Sequence, residues 1–212
     1  MYFYTDGLLT QLDYQGGYYK FEYINGQPVK RKLYVGPAIK PDYDNLIYNT
    51  NGTLARIDFY EYGQPDNYFL YGKIIFTYNT EQLEKIEIYS VSGNVSTLEE
   101  DYTYTSHSGN IVMCRAADYL PTFQVANFNY TYDNSLNYFK KQNLYGYILD
   151  PLFIDTDGIL LPFAMSKNNV TNVEINGVNT PYSYQLNSKQ DLFVFHWETP
   201  IHHNIVFEYN CN

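Results

Sequence analysis

The amino-acid sequence predicts an all-β protein, a large curved antiparallel sheet of consecutive β-hairpins with the connectivity of an open barrel-like meander. Three observations carry that expectation. The first is aromatic content. The chain of 212 residues holds 26 Tyr and 13 Phe against 1 Trp, and tyrosine suits a pleated, half-buried surface on which the ring packs and the hydroxyl reaches water. The second is punctuation. Asp6-Gly7, Asn25-Gly26, Asn51-Gly52, Gly93-Asn94, Gly109-Asn110, Asp157-Gly158 and Asn176-Gly177 each stand between runs rich in Tyr, Ile, Val, Phe or Thr. Such dipeptides tolerate the positive φ angles of tight hairpins, so a strand is expected on either side of each. The third is a degenerate repeat, described next.

Its core is an aromatic residue, a spacer, a tyrosine, a polar turn, and then Leu or Ile opening a second strand. It runs from Phe3-Tyr4-Thr5-Asp6-Gly7 to Leu12, and from Tyr48-Asn49-Thr50-Asn51-Gly52 to Leu54 and Ile57. It returns as Phe76-Thr77-Tyr78-Asn79 with Leu83 and Ile86, as Tyr102-Thr103-Tyr104 with Ile111, and as Tyr130-Thr131-Tyr132-Asp133 with Leu136 and Phe139. The spacing drifts, so these are loose copies of one hairpin. A lone hairpin cannot bury its apolar face, and the copies must therefore join a shared sheet.

The last third reads differently. Ile159-Leu160-Leu161-Pro162-Phe163 is continuously apolar, and Asp191-Leu192-Phe193-Val194-Phe195-His196-Trp197 is apolar at both strand parities. Strands without polar alternation are usually covered on both sides. Ile205-Val206-Phe207-Glu208-Tyr209 is expected to complete a closing hairpin through Thr199-Pro200-Ile201-His202-His203. With no linker or low-complexity stretch, the expectation is a single domain over residues 1–212. Hairpin repeats would occupy 1–145 and a sheet-closing part 146–212.

Charge excludes several functions. The net charge of -10, from 13 Lys+Arg against 23 Asp+Glu, opposes nucleic acid, whose binding depends on neutralising phosphates. Anionic membrane surfaces are disfavoured in the same way. A hydrophobic content of 45% removes a disordered chain, and no run approaches the length of a transmembrane helix. A membrane barrel needs a lipid face apolar at every second position. Glu84-Lys85-Ile86-Glu87-Ile88-Tyr89 has polar members on the face that would meet lipid or lumen, and other strands are shorter than a bilayer needs, so a soluble curved sheet is preferred and the barrel is kept as the minority reading. Cys114 and Cys211 would close a long loop if paired in an oxidising compartment, the competing reading being two thiols. Met1 leads directly into Tyr2-Phe3-Tyr4 with no signal-peptide pattern, from which we expect an export signal to have been removed ahead of it.

The Tyr-x-Tyr-Asp-Asn pattern at 130–134 and the Tyr-Asn-x-Asn-Gly-x-Leu hairpin at 48–54 resemble degenerate YD repeats of the RHS type. Together with Ser166-Lys167-Asn168-Asn169-Val170-Thr171, the chain resembles a family of uncharacterised bacterial exported lipoproteins carrying such repeats. The resemblance covers most of the chain. It implies a large porin-like antiparallel sheet in an exported protein, periplasmic or at the cell surface and lipid-anchored in the full-length form. It implies no catalytic residues, and the cysteine that would carry the lipid is absent from this sequence.

Candidate chemistry is sparse. Asp155-Thr156-Asp157-Gly158 has carboxylates at alternate positions and a glycine for a sharp turn, as calcium loops do. Counting Asp155 as the first position puts Ile159 fifth and Ser166 twelfth, where ligands belong, so an Asp-Gly turn competes. His196, His202 and His203, with Glu198, are the second metal candidate, of a kind that suits zinc or a general base. Solvated histidines at a strand end and turn are the plainer reading. Glu99-Glu100-Asp101 and Asp42 with Asp44 are the carboxylate clusters; a glycosidase would need two such groups facing across a cleft. No phosphate loop, nucleophile elbow or zinc-protease motif occurs, so neither a catalytic residue nor a cofactor is assigned.

These readings lead to a non-catalytic exported binding or scaffold protein of the bacterial cell envelope. Polysaccharide is the expected ligand class, because sugar C–H faces pack on aromatic rings while Asn and Asp bond hydroxyls. The alternatives are an enzyme acting on polysaccharide through unidentified carboxylates, and a purely structural repeat protein contacting other envelope proteins by its sheet edges.

Overall fold

A computed structural model describes residues 2–6, 8–14, 16–36, 42–63, 67–80, 82–119, 121–137, 161–186, 192–198 and 202–206, the last two segments as backbone. The first strands are β1 Tyr2–Thr5, β2 Leu8–Tyr14, β3 Gly17–Ile24, β4 Gln27–Val35 and β5 Asp42–Tyr48. They continue as β6 Leu54–Gly63, β7 Asn67–Asn79, β8 Gln82–Ser92, β9 Val95–His107, β10 Asn110–Asp118 and β11 Gln124–Leu136. A helical turn, α1 Leu161–Met165, precedes β12 Asn168–Ile175, β13 Val178–Leu186, β14 Leu192–Glu198 and β15 His202–Val206. Strand order follows sequence order from β1 to β15. The fold is thus all-β, an antiparallel meander of consecutive hairpins, as expected.

Turn chemistry explains the connections. Asn25 and Gly26 have φ of 52° and 76°, and Asn176 and Gly177 have 52° and 81°. Both central residues are left-handed, the two-residue geometry whose twist matches that of the flanking strands. The Gly109-Asn110 signal is displaced by one position: Ser108 and Gly109 make the turn, at φ of 52° and 85°, and Asn110 opens β10. Between β7 and β8 the left-handed residue is Thr80, at φ 59°, in the polar turn of the repeat copy at 76–79 but without a Gly-containing dipeptide.

The chain divides into two compact units, Met1–Asp101 with Tyr119–Pro121, and Tyr102–Asp118 with Thr122–Asn212. The boundary expected between residues 145 and 146 lies outside the described residues.

In the first unit the core-facing parity of the strands is mostly apolar, with Arg31 of β4 and Asp44 of β5 buried on it as well. Tyr19 and Phe21 of β3, Leu46 of β5, Ile57 and Phe59 of β6, Ile74 and Phe76 of β7, and Leu83 and Ile86 of β8 form this core. Ile57 and Ile74 stand directly opposite each other, each 2% exposed. Each such side chain contributes about 1.5–3 kcal/mol by leaving water. A register shift after Phe59 sets that residue against Gly72. A Cβ on Gly72 would come within 3.4 Å of the Phe59 ring and 3.3 Å of the Tyr89 carbonyl, so the ring covers bare backbone there.

In the second unit the buried set is Tyr102 and Tyr104 of β9, Ile111, Cys114 and Ala117 of β10, Phe128 and Tyr130 of β11, and Val170 and Val173 of β12, with Phe163 of α1. The apolar run 159–163 was expected as a covered strand; the part of it that is described begins α1 instead. Pro162 has no N–H for a ladder but suits the first turn of a helix. The Ser166 amide donates to the Pro162 carbonyl at 3.1 Å and closes that turn. Phe163 is 1% exposed, and its ring packs on Tyr182 at 4.6 Å between centroids. A hairpin forms between β14 and β15, its second strand starting at His202, so that His202 and His203 belong to the strand and not to the expected turn through 199–203.

Candidate functional site

The parity opposite the core of the first unit carries tyrosines and lysines instead of a uniform polar cover. On β3 these positions are Tyr18, Lys20 and Glu22, on β4 Lys30, Lys32 and Tyr34, and on β5 Tyr43 and Asn45. β6 adds Asp58 and Tyr60, and β7 and β8 add Tyr68, Lys73 and Tyr89.

Register makes the rings meet. Tyr18 opposes Tyr34, and their rings stack at 4.7 Å with 12° between planes. Tyr43 opposes Tyr60 and stacks at 4.8 Å and 15°. Tyr68 meets Tyr43 edge-on at 4.8 Å and Tyr62 at 5.3 Å. Aromatic pairs of this kind add about 0.5–1.5 kcal/mol beyond their area. Ring faces are thereby used on one another, and the chemistry offered to a ligand is mainly that of ring edges and hydroxyls. Burial pushes the Tyr43 phenol up, with smaller effects from Tyr60 and Tyr68, so it stays a neutral donor at physiological pH.

The lysines are held by these rings. Lys20 Nζ lies 5.6 Å from the Tyr18 centroid and 5.8 Å from that of Tyr34. Lys30 Nζ is 4.3 Å from the Tyr43 centroid, and Lys73 Nζ is 4.9 Å from that of Tyr89. Lys32 instead pairs with Glu22, and that hydrogen bond holds the ammonium above its ordinary pKa. Farther along, Arg56 pairs with Asp58 at 2.8 Å, and Lys85 with Glu87 at 2.8 Å and with Asp101 at 3.5 Å.

A different group of tyrosines has a structural task. Tyr23, Tyr48, Tyr132 and Tyr184 stand toward strand ends, and each hydroxyl donates to a carbonyl on the preceding strand, of Leu9, Pro28, Ile111 and Val170 respectively. Tyr48 and Tyr132 are the repeat tyrosines of the sequence pattern. Their hydroxyls pin hairpin register, and burial raises both phenols.

The Ser166–Asn169 segment is likewise structural. Asn137 Nδ2 donates to the Phe163 carbonyl at 2.7 Å and to that of Ser166 at 2.8 Å. Ser166 Oγ accepts from the Ile111 amide at 3.0 Å. Asn169 Nδ2 donates to Asp133 Oδ2 at 3.1 Å. Asn137, Ser166 and Asn169 are at most 1% exposed, and these bonds satisfy buried groups that would otherwise be costly.

Asp155 and Asp157 lie outside the described residues. His196 is in β14, and His202 and His203 are in β15; the ladder sets His202 opposite Glu198, His203 opposite Trp197, and His196 opposite Asn204. Among the described residues no group of three or more His, Cys, Asp or Glu is placed to hold a metal ion. Cys114 is buried in the second unit, while Cys211 lies outside the described residues.

The carboxylate clusters are tied into the sheet. Asp44 is buried and pairs with Arg31 Nε at 2.5 Å, directly across β4 and β5, with the Tyr19 ring 4.8 Å from the guanidinium. Asp42 Oδ1 accepts from the Tyr62 amide at 2.9 Å. Asp101 accepts from Tyr119 at 2.9 Å besides its lysine. Among the described residues no helix is long and apolar enough to cross a membrane, a statement about helices alone.

The fold defines an all-β meander whose first unit bears a tyrosine–lysine face. No protein-family model matches the chain, and no curated protein matches it. Among solved structures it is similar to a porin-like protein from Bacteroides uniformis, with 13% identity and a TM-score of 0.44 over 89% of this chain and 86% of that one. A likeness at this level carries no inference about function.

Proposed function

We propose that the protein is an exported, non-catalytic binding or scaffold module of the bacterial cell envelope, anchored by lipid in its full-length form, with a glycan as its ligand. The resemblance to YD-repeat lipoproteins supports the location. The observation that carries the binding reading is the half-buried tyrosine face of the first unit, where Tyr18, Tyr34, Tyr43, Tyr60 and Tyr68 form cross-strand contacts over β3 to β7. Rings stacked on each other lose little further freedom when a ligand arrives, which preserves affinity. Their hydroxyls both donate and accept, as sugar hydroxyls do. An enzymatic reading has less support, since Asp42, Asp44 and Asp101 are each engaged by structural partners.

Affinity electrophoresis of the protein and of Tyr43→Ala, against neutral and acidic soluble polysaccharides, tests the reading. Retardation by at least one polysaccharide, weakened in the variant, is expected. Failure of every polysaccharide to retard the protein would overturn glycan binding.

A further inference from the structure

Resting on the glycan reading above, we propose that the β3–β4–β5 part of this face takes an acidic polysaccharide of the uronate type, with Lys20 and Lys30 meeting its carboxylates.

The argument begins from a like-charge pair. Lys20 and Lys32 stand directly opposite each other across β3 and β4, an arrangement that destabilises a ladder. Lys30 follows two positions along on β4, directly opposite Glu22, so three ammoniums share the patch with one carboxylate on these two strands. Glu22 is taken by Lys32. The flanking Asp13, opposite Tyr18 on β2, accepts a hydrogen bond from Gln11 Nε2 at 2.7 Å. Among the described residues Lys20 and Lys30 form no ion pair; both are held against tyrosine rings, which position an ammonium without neutralising it. In a chain of net charge -10, three cations sharing a single carboxylate on these two strands favour an anionic partner.

The rings decide the kind of anion. Single-stranded nucleic acid is bound by aromatic faces open to its bases, and here Tyr18 and Tyr34, like Tyr43 and Tyr60, have turned faces toward each other. What borders the ammoniums is a set of tyrosine rings, whose phenols both donate and accept, and Asn45, directly opposite Lys30. That combination fits a chain carrying hydroxyls and carboxylates together. An acidic polypeptide has the carboxylates without the hydroxyls.

The test measures binding of the whole chain to alginate, to carboxyl-reduced alginate and to polyglutamate at low salt, for the wild type and Lys20→Gln/Lys30→Gln. Alginate is expected to bind, with affinity falling about tenfold or more in the variant, in line with the loss of charge-assisted hydrogen bonds. Carboxyl-reduced alginate is expected to bind markedly more weakly, and the thermal midpoint of the variant not to fall below the wild-type value, since the substitution removes a like-charge pair. If the double variant is misfolded, the exposed Lys20→Gln alone makes the comparison. Equal binding of alginate and its reduced form, or an unaffected variant, overturns the acidic specificity while leaving glycan binding standing. Polyglutamate held as tightly as alginate overturns the sugar occupant. Binding of no polysaccharide, neutral or acidic, overturns both readings.

Discussion

The two units use tyrosine and polar side chains in opposite ways. In the first, tyrosines of one parity pave a half-buried face and stack on one another, while its buried polar pair is ionic, Arg31 with Asp44. In the second, Tyr102, Tyr104 and Tyr130 are buried, and the buried polar groups are mostly neutral, with Asn137, Ser166 and Asn169 bonded to backbone carbonyls, an amide and a carboxylate. A sheet that keeps one wet face can offer that face to a ligand. A region that buries its phenols gains stability at neutral pH and becomes sensitive to base.

Base should therefore produce the largest difference. Burial raises the phenols of Tyr104, Tyr130 and Tyr132 in the second unit, and that of Tyr182 to about 12; in the first unit it raises Tyr48, and Tyr78 to about 12. Unfolded tyrosines ionise near 10 while these keep their protons, so the folded state binds more protons above that pH and loses stability as pH rises. The expected result is cooperative alkaline unfolding above pH about 10, with hydrogen exchange rising first in β9 to β12. Smooth, non-cooperative phenolate absorbance with unchanged exchange would break the contrast.

The next effect separates ionic from neutral burial. Asp44→Ala leaves the Arg31 guanidinium buried without that partner and should lower stability by about 3–5 kcal/mol in chemical denaturation. Asn137→Ala removes a neutral donor to two carbonyls and should lose about 1–3 kcal/mol. Equal losses would show that the ionic character of the first pair adds nothing.

Smaller changes sharpen the distinction between tyrosine roles. Tyr48→Phe and Tyr132→Phe, one in each unit, keep the ring and remove the pin to the preceding strand, and each should lose about 0.5–1.5 kcal/mol without altering polysaccharide retardation. Tyr43→Ala should show the reverse emphasis, with retardation affected most. The smallest change is a gain. Thr80 is β-branched at φ 59°, and its hydroxyl reaches only the neighbouring Asn79 carbonyl at 2.6 Å. Thr80→Asn should raise stability by about 0.5–1 kcal/mol, because asparagine tolerates the left-handed region; a lower thermal midpoint would show that the hydroxyl matters more than the backbone.

Much of the architecture was legible in the chain because it is local. Asn25-Gly26 and Asn176-Gly177 make two-residue turns for reasons contained in those residues, and alternate burial along β3 and β7 follows from the period of a strand. The tyrosine–lysine face was partly legible too, since Tyr18-x-Lys20-x-Glu22 and Lys30-x-Lys32-x-Tyr34 repeat at that same period. Tertiary structure decided which tyrosines pave and which pin: Tyr43 stacks on Tyr60 across the ladder, while the Tyr48 hydroxyl reaches the Pro28 carbonyl of the preceding strand. It also decided that the polar Ser166 and Asn169 are buried, because their partners Ile111 and Asp133 are remote in sequence. It turned the apolar stretch at Leu161 into a helical turn as well. Local conformation depends on the residues present, whereas burial and pairing depend on which distant strands meet, and no single stretch of chain carries that information.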